Sequence, residues 1–567
     1  MSEDLSNVDA AWLHMEIPNN LMMITGIFVF DEQVNFERMK TMLEQRLLIF
    51  DRFRQKVVEG RFGSPRWEAD PQFDMVNHLH RIALPAPGDS ASLQALVSDL
   101  MSTPLDFSKP LWQYHLVEGY GNGSALICRF HHCIGDGVAM MRVLLSMTDA
   151  APDAPWAPPQ EEDEEIKRSR NPLRVIMRPA SAAVGATRRI TGSLVGGSVD
   201  MLAHPSHAMD LARLGTETTM ALGRLLLLPP DPKTVYKGPL QVPKRAVWSQ
   251  PIPLSLIKAI GKATGSTVND VLLSAVAGAL RRYAEGRGQA VDGLNIRGVI
   301  PVNLRQEERK IELGNKFGLI FLSLPLGIGD PMGRLFELKR RMDGLKDSRE
   351  AVVAFGILNA IGMAPSQIED IVVNIFGTKA TAVMTNVPGP RHQIYFAGAP
   401  VRETMFWVPQ SGRLGMGVSI FSYNDKVWLG LVTDVSLVPD PDAIIQFFHD
   451  ELAELHAITQ RLAEEQPTHT EPVAAVASDF ENDLEIDSIF EPASTLTSEA
   501  APAKSPGDDD LTQLKGIGPA YAARLRAGGI DTRATLATCT PQQLAEIVQA
   551  PDWRRPDYQS WIDQAKA

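Results

Sequence analysis

Two adjacent histidines, His131 and His132, stand in the segment of the chain that is best suited to chemistry. The segment reads Phe-His-His-Cys-Ile-Gly-Asp-Gly over residues 130–137, between an apolar run and a helical pattern, which predicts a turn from a strand into a loop. Adjacent residues of a strand point to opposite faces, so only one histidine can easily face a given cleft. A neutral imidazole there is suited to accept the proton of an alcohol near neutral pH.

One such base is nearly sufficient for acyl transfer from a thioester. The base deprotonates the acceptor hydroxyl as it attacks the carbonyl, hydrogen-bond donors stabilise the oxyanion, and the thiolate leaves with the proton. The reaction needs no metal and no covalent intermediate. A covalent route through Cys133 is the alternative. Direct transfer is favoured, because neighbouring strand residues diverge and His132 is badly placed to activate that thiol.

Composition limits the class of protein and its location. The chain has 567 residues and a formal net charge of −13, so the whole chain is not expected to coat nucleic acid, and an anionic partner needs a local basic patch. Three cysteines without a C-x-x-C pair predict neither a disulfide framework nor a zinc site. The acidic N-terminus and the lack of a long apolar run predict an unsecreted, cytoplasmic protein that meets membranes only at their surface.

Changes in composition divide the chain into five regions. Residues 1–150 and 241–463 alternate strand and helix patterns, and they are predicted to be two α/β domains. Residues 151–240 form a Pro-rich and then cationic connector, either a helical crossover packed on the domains, which we favour, or a membrane-surface segment. Residues 464–510 are acidic and disordered by composition, and residues 511–567 form a small helical module.

The His-His-x-x-x-Asp-Gly string resembles the active-site motif of the CoA-dependent acyltransferase superfamily, which includes chloramphenicol acetyltransferase-like enzymes and condensation domains. By that resemblance His132 is the general base, and His131 belongs to the same catalytic set. Asp136 is implied to be structural, paired with an arginine and turned away from substrate. Gly137 is implied to keep the substrate channel clear.

Further strings narrow the resemblance to bacterial wax ester synthase/diacylglycerol acyltransferases. They run in family order from about residue 5 to 460, and they are Leu5-Ser6-Asn7-Val8-Asp9, Asn19-Asn20-Leu21-Met22-Met23, Pro110-Leu111-Trp112, Asn269-Asp270, Ile300-Pro301-Val302-Asn303-Leu304-Arg305 and Asn386-Val387-Pro388-Gly389-Pro390. The strand ending in Arg305 departs from the family pattern, with Asn303 in place of serine.

Several of these residues also have an ordinary structural interpretation. Trp112 is expected in the core. Thr267 and Asp270 have the spacing of a capping box at a helix start, although Asn269 and Asp270 lie near the site in the family. The turn over 386–390, with Asn386, Pro388 and Gly389, is expected to line the acyl-CoA channel. Arg305 is the predicted partner of Asp136, a choice that rests on the superfamily pattern.

The resemblance implies two chloramphenicol-acetyltransferase-like α/β domains with the active site at their interface, followed by a small all-α module. It implies acyl-CoA as substrate rather than cofactor, diacylglycerol or a long-chain alcohol as acceptor, and a location at the inner membrane face or on lipid inclusions. Two alternatives are another acyltransferase of the superfamily, using a different acceptor or a carrier-protein thioester, and a non-catalytic lipid-surface or DNA-tethering protein. The motif strings argue against both.

The C-terminal string from Leu514 to Ala522 resembles a helix–hairpin–helix motif. Its Gly-Ile-Gly turn exposes backbone N–H groups that can hold a phosphate. The basic residues of this region are offset by acidic ones, so DNA binding is not favoured. A protein-interaction module on a flexible tether is the preferred interpretation.

Overall fold

A computed structural model describes residues 3–59, 65–154, 227–305, 311–346, 377–410, 412 and 414–465 of the body. In the C-terminal region it describes residues 511, 514, 517, 521, 524–526, 530, 532–548 and 558–566. The chain divides into two units, Met1–Phe490 and Glu491–Ala567. Most of the predicted connector and linker, residues 155–226 and 466–510, lies outside the described residues.

The strands, in chain order, are β1 (Glu3–Asp4), β2 (Met23–Phe30), β3 (Gln55–Glu59), β4 (Pro65–Ala69), β5 (Leu79–Ala83), β6 (Trp112–Tyr120), β7 (Gly123–His131), β8 (Thr148–Asp149), β9 (Lys244–Trp248), β10 (Ile252–Pro253), β11 (Ile296–Asn303), β12 (Phe317–Leu324), β13 (Ala382–Pro388), β14 (Tyr395–Phe396), β15 (Ala399–Trp407), β16 (Met416–Tyr423) and β17 (Lys426–Asp434).

The described helices are α1 (Asn7–His14), α2 (Phe36–Met42), α3 (Ser90–Met101), α4 (Gly137–Ser146), α5 (Leu254–Thr264), α6 (Val268–Gly286), α7 (Pro331–Lys346), α8 (Pro441–Glu465), α9 (Arg533–Ala537), α10 (Pro541–Val548) and α11 (Tyr558–Lys566).

The first large sheet carries the histidine pair at the end of a central strand. Its described strands run in the order β5-β6-β7-β2-β15-β14-β8. Every residue of β2 and β7 is buried, as expected for central strands covered on both faces. The antiparallel register pairs Met23 with His131, which places the loop after β7 beside the start of β2.

The second large sheet and its helices form a separate apolar core. Its order is β10-β17-β16-β13-β11-β12, with β9 also paired to β17. Helix α6 has buried residues around most of its circumference, because it packs between α7 and α8. Antiparallel β11 and β12 are joined by a connection whose described end, residues 311–316, reaches back to the first sheet.

The boundary predicted at residue 241 does not separate the two sheets. Strands β14 and β15 come from the second predicted domain, yet they complete the first sheet, with β15 antiparallel to β2. β15 also packs against β16, where the Phe406 and Phe421 ring centroids lie 5.2 Å apart. Side-chain alternation predicts a strand but not its sheet, because sheet membership is decided by long-range pairing.

Four sequence patterns of the first region occur as elements with shifted ends, and one of them changes type. The apolar runs over 21–30 and 125–130 predict strands, which are β2 and β7, and the pattern over 138–147 predicts a helix, which is α4. The amphipathic pattern over 36–50 predicts one helix, but α2 ends at Met42 and continues as a π-helical turn over Leu43–Leu47. Apolar periodicity continues through a π-turn, so the pattern alone does not show the change.

The C-terminal unit has a small core of its own. Buried apolar side chains of its described residues include Leu525, Leu536, Leu544, Trp561 and Ile562. Thr532 and Thr535 form a capping box at the start of α9. Only residues 514, 517 and 521 of the helix–hairpin–helix string are described.

Candidate active site

His132 follows β7 and lies in a mostly apolar setting. Its backbone N–H donates to Met22 O (2.8 Å), and its imidazole stacks on the indole of Trp12, with ring centroids 4.0 Å apart. Phe317 lies on another side at 5.9 Å between centroids. Burial lowers the pKa of His132 to about 4, although the Asp136 carboxylate opposes that shift. The imidazole is therefore neutral at physiological pH, as a general base must be.

His131 is turned away from His132 into the protein, as strand geometry predicts. Its side chain is fully buried, and its Nδ1 accepts a hydrogen bond from Cys133 N–H (3.1 Å). Its Nε2 lies 3.1 Å from a carboxylate oxygen of Glu16, which also accepts from Met22 N–H (2.9 Å). His131 therefore supports the backbone of the loop rather than facing the cavity.

Both oxygens of Asp136 are used by protein groups. Oδ1 accepts from Ala139 N–H (3.0 Å) and caps α4. Oδ2 accepts from the Arg305 guanidinium and from Lys316 N–H (2.9 Å). The predicted pair of Asp136 with Arg305 is present, and both side chains are buried. Asp136 borders the cavity, but its oxygens are committed to holding the loop in place.

Residues 314–316, in the connection that precedes β12, bind the loop that follows β7. Gly135 and Gly314 form a parallel β-bridge, in which Asp136 N–H donates to Gly314 O (3.3 Å) and Gly314 N–H donates to Ile134 O (3.0 Å). Gly314 has φ of +99°, a conformation that favours glycine. Asn315 Nδ2 donates to His132 O (2.8 Å). We did not predict Gly314, Asn315 or Trp12 as site residues. A Gly-Asn pair in a loop is too common to single out Gly314 and Asn315.

A cavity of about 390 Å³ opens beside His132 between the two sheets. Its walls come from α4, from the inward faces of β11, β12 and β13, and from the turn between β16 and β17. Most lining side chains are apolar, such as Met141, Leu145 and Leu319. Gly137 also lines the cavity, and a Cβ there would meet only Val408 Cγ1, at 4.0 Å. A side chain at position 137 would thus occupy cavity space.

The Asn-Asp and Asn-Val-Pro-Gly-Pro strings meet in the structure. Asn386 lines the cavity, and its side-chain amide donates to the Asn269 side-chain oxygen. Pro388 and Gly389 line the cavity as well. Gly389 has no room for a side chain, because a Cβ would lie 2.5 Å from both the Phe421 ring and Ser422 O.

Trp112 and Asp270, which the sequence analysis grouped with the site, are among the residues that do not line the cavity. Trp112 is fully buried, stacks on His78 with ring centroids 4.4 Å apart, and donates from Nε1 to Phe53 O (2.9 Å). Asp270 is buried and completes the predicted capping box with Thr267 at the start of α6. Both residues therefore have the structural role that was weighed against a functional one.

The environment of Cys133 disfavours the thiolate form of its side chain. Its side chain is fully buried and does not line the cavity, and burial raises the pKa of the thiol well above its usual value.

Within the described residues, no group of three His, Cys, Asp or Glu side chains has an arrangement that would bind a metal ion. None of the described helices has the length and apolar character needed to cross a bilayer.

Comparison with known proteins identifies the family. Residues 5–272 match the sequence model of the wax ester synthase/diacylglycerol acyltransferase catalytic domain, and residues 313–456 match the model of the C-terminal domain of the same family. The two matches together span well over half of the chain. The chain belongs to this family. Residues 508–555 match a SAM-like helix-hairpin-helix tandem.

Several mycobacterial proteins are similar to this chain. A putative diacylglycerol O-acyltransferase of Mycobacterium tuberculosis CDC 1551 is 26% identical over 472 residues, covering 80% of this chain and 90% of that protein. A probable diacylglycerol O-acyltransferase of M. tuberculosis H37Rv is 26% identical over 468 residues, covering 81% and 96%. The chain is thus an acyltransferase, as the motif predicted.

Solved structures show the same fold. The wax ester synthase/diacylglycerol acyltransferase from Marinobacter aquaeolei VT8 is similar with a TM-score of 0.59 at 22% identity, over 81% of this chain and 100% of that one. The first condensation domain of the calcium-dependent antibiotic synthetase is similar with a TM-score of 0.54 at 14% identity, over 81% and 96%. The predicted chloramphenicol-acetyltransferase-like α/β fold is therefore confirmed, together with a small helical C-terminal region.

Proposed function

We propose that this acyltransferase moves a fatty acyl group from acyl-CoA to the hydroxyl of diacylglycerol, or of a long-chain alcohol, with His132 as general base. The observation that carries the proposal is a neutral, buried imidazole at the wall of a largely apolar cavity. Two mycobacterial relatives named as diacylglycerol O-acyltransferases support diacylglycerol as the acceptor.

The proposed reaction is a direct transfer. His132 Nδ1 is buried, so Nε2 is the ring nitrogen available to a substrate. Nε2 takes the proton of the acceptor hydroxyl while the hydroxyl oxygen attacks the thioester carbonyl. The tetrahedral oxyanion collapses, the C–O bond of the ester remains, and the C–S bond breaks. The CoA thiolate leaves and receives the proton from the imidazolium, so the neutral base is restored.

Two arginines in the cavity wall support a phosphate-bearing donor. Arg142 lies on α4, and Arg391 follows the turn that ends at Pro390. Arg142 is half-buried, and its side chain has no hydrogen bond or ion pair within the described part of the chain. A guanidinium so placed is suited to bind phosphate oxygens. In a chain of net charge −13, such local cations are needed to attract an anionic donor.

The apolar lining suits the long chains of donor and acceptor. Because these substrates partition into lipid, the enzyme is proposed to work in the cytoplasm, at the inner membrane face or on lipid inclusions. The helix-hairpin-helix tail is proposed to bind a protein partner that determines location.

An assay with purified enzyme tests the proposal. Labelled palmitoyl-CoA is offered with diacylglycerol, hexadecanol or water as acceptor, and the lipid products are separated. Ester formation with one of the two alcohols in clear excess over fatty acid is expected. Hydrolysis alone, or no turnover with either alcohol, would reject the proposed function.

A further inference from the structure

The side chain of Asn315 belongs to a buried network that bonds to the backbone of His132 and contacts its side chain. Its Nδ2 donates to His132 O (2.8 Å) and to Asp9 Oδ1 (2.7 Å), and its backbone N–H also donates to Asp9 Oδ1 (3.0 Å). Helix α1, the loop after β7 and the segment before β12 therefore meet at the side-chain amide of Asn315. All three residues are at most 5% exposed, so water does not compete for these bonds.

The two acceptors determine which way the amide faces. Only the NH₂ end of an asparagine can donate, and both His132 O and Asp9 Oδ1 are acceptors. The opposite orientation would bring Asn315 Oδ1 against two oxygens. Oδ1 is thus the atom left over, and it is buried without a hydrogen bond among the described residues. His132 Nδ1 is buried and unpartnered in the same way.

We propose that Asn315 is a positioning residue for His132, with Asn315 Oδ1 accepting the Nδ1–H of the imidazole. This bond selects the tautomer whose Nε2 lone pair is free, and it stabilises the imidazolium that forms after proton transfer. The contact with the Asn315 side chain raises the pKa of His132, because it favours the protonated ring, and this is the direction that the role requires. The choice of tautomer is independent of the substrate, whereas the kinetic consequences rest on the proposed acyl transfer.

Asp9 holds Asn315 in this orientation and is itself held by Arg52. Arg52 Nη1 lies 3.2 Å from Asp9 Oδ2 and also donates to Ile134 O (2.9 Å). The guanidinium balances the buried carboxylate, so the network carries no uncompensated charge. Asp9, the last residue of the Leu-Ser-Asn-Val-Asp string, thereby supplies the carboxylate that orients the Asn315 amide.

Nitrogen-15 NMR of histidine-labelled wild-type enzyme tests the tautomer directly. The His132 signals are assigned by their loss in His132→Gln. Protonated Nδ1 and unprotonated Nε2 are expected at pH 7. The opposite tautomer would overturn the proposal, and this measurement requires no activity. A wild-type enzyme that has the expected tautomer but esterifies no alcohol would support the positioning role and reject the proposed function.

Kinetics between pH 4 and 9 tests the consequence. Asn315→Ala is expected to lower kcat about 10–100-fold with less than a twofold change in KM. A double variant, Asn315→Asp with Asp9→Asn, exchanges the amide and the carboxylate. It places a negative charge beside Nδ1–H. Besides Asn315, the groups that already face the ring are the Asp136 carboxylate, His131, Trp12, Phe317 and the backbone carbonyl of His132 itself, and all are unchanged in the double variant.

The acid limb of the kcat profile is expected to rise by at least one pH unit in the double variant. A carboxylate at position 315 that lay away from Nδ1 would not move this limb. The proposal is overturned if Asn315→Ala retains more than half of the wild-type kcat. It is equally overturned if an active double variant has the wild-type acid limb.

Discussion

The indole of Trp12 stacks on the imidazole of His132 with ring centroids 4.0 Å apart and planes inclined by 23°. Trp12 belongs to α1, so a residue near the start of the chain covers one face of the proposed base. This stacking removes water from the imidazole, and desolvation lowers the pKa of His132 to about 4.

The pH dependence of turnover follows from that environment. Neutral His132 is the active form, so kcat should stay level as the pH falls from 8 to about 5 and should decline only near pH 4. Initial rates in a constant-ionic-strength buffer series, with circular dichroism to verify folding, measure this. An inflection near 6.5, the ordinary histidine value, would show that the ring is hydrated in the working enzyme.

His132→Gln should lower kcat by about 10²–10⁴-fold, the usual effect of losing a general base, while the fold is retained. His131→Gln is the matched control, because His131 supports the loop from inside the protein. It should lower the melting temperature more than it lowers kcat per folded molecule. The roles are reversed if His131→Gln proves the more damaging to kcat.

The pair of Asp136 and Arg305 should behave as one unit. Asp136→Asn or Arg305→Gln leaves the other buried group without its ionic partner, which typically costs about 3–5 kcal/mol of unfolding free energy. Asp136→Ala should cost more than Arg305→Ala, since it also removes the cap of α4. The double alanine variant should be little worse than Asp136→Ala. Additive losses in urea unfolding would contradict the pairing.

Arg142→Gln should raise KM for palmitoyl-CoA by about tenfold, the effect of losing one charge-assisted hydrogen bond. The KM for palmitoyl-N-acetylcysteamine, a thioester without phosphates, should change less than twofold. Arg340→Gln, at an exposed position on α7, serves as control. Equal changes for both donors would show that Arg142 does not bind the donor phosphates.

A chain ending at Gln466 should fold and esterify within about twofold of the full-length rate in solution. Its last described helix, α8, packs on the second sheet, and the C-terminal unit has an apolar core of its own. The same assay on both forms measures this. A truncated enzyme that is soluble but inactive would assign the tail a part in the chemistry.

Several features were predictable from short sequence patterns, because the geometry of a few neighbouring residues determines them. The capping box of Thr267 and Asp270 follows from spacing within one helical turn, and the divergence of His131 from His132 follows from strand alternation. Burial of Trp112 follows from its size and apolar neighbours. The motif also directed attention to the pair of Asp136 with Arg305, 169 residues apart, but only through resemblance to a superfamily.

The remaining features depend on contacts between distant parts of the chain. Composition and hydrophobic period do not indicate that β15 completes the first sheet, since any alternating strand satisfies the same local pattern. Asp9 and Asn315 are 306 residues apart, and neither has a sequence context that identifies the other.

The sequence by itself therefore determined which residues have the chemistry for acyl transfer and which lie on strands, turns and helix starts. Tertiary structure alone decided that Trp12 covers His132, that Asn315 bonds to the backbone of His132 and that Arg142 lines the cavity. The physical reason is that desolvation, tautomer and charge around a side chain depend on everything packed against it, whereas secondary structure depends mainly on its neighbours along the chain.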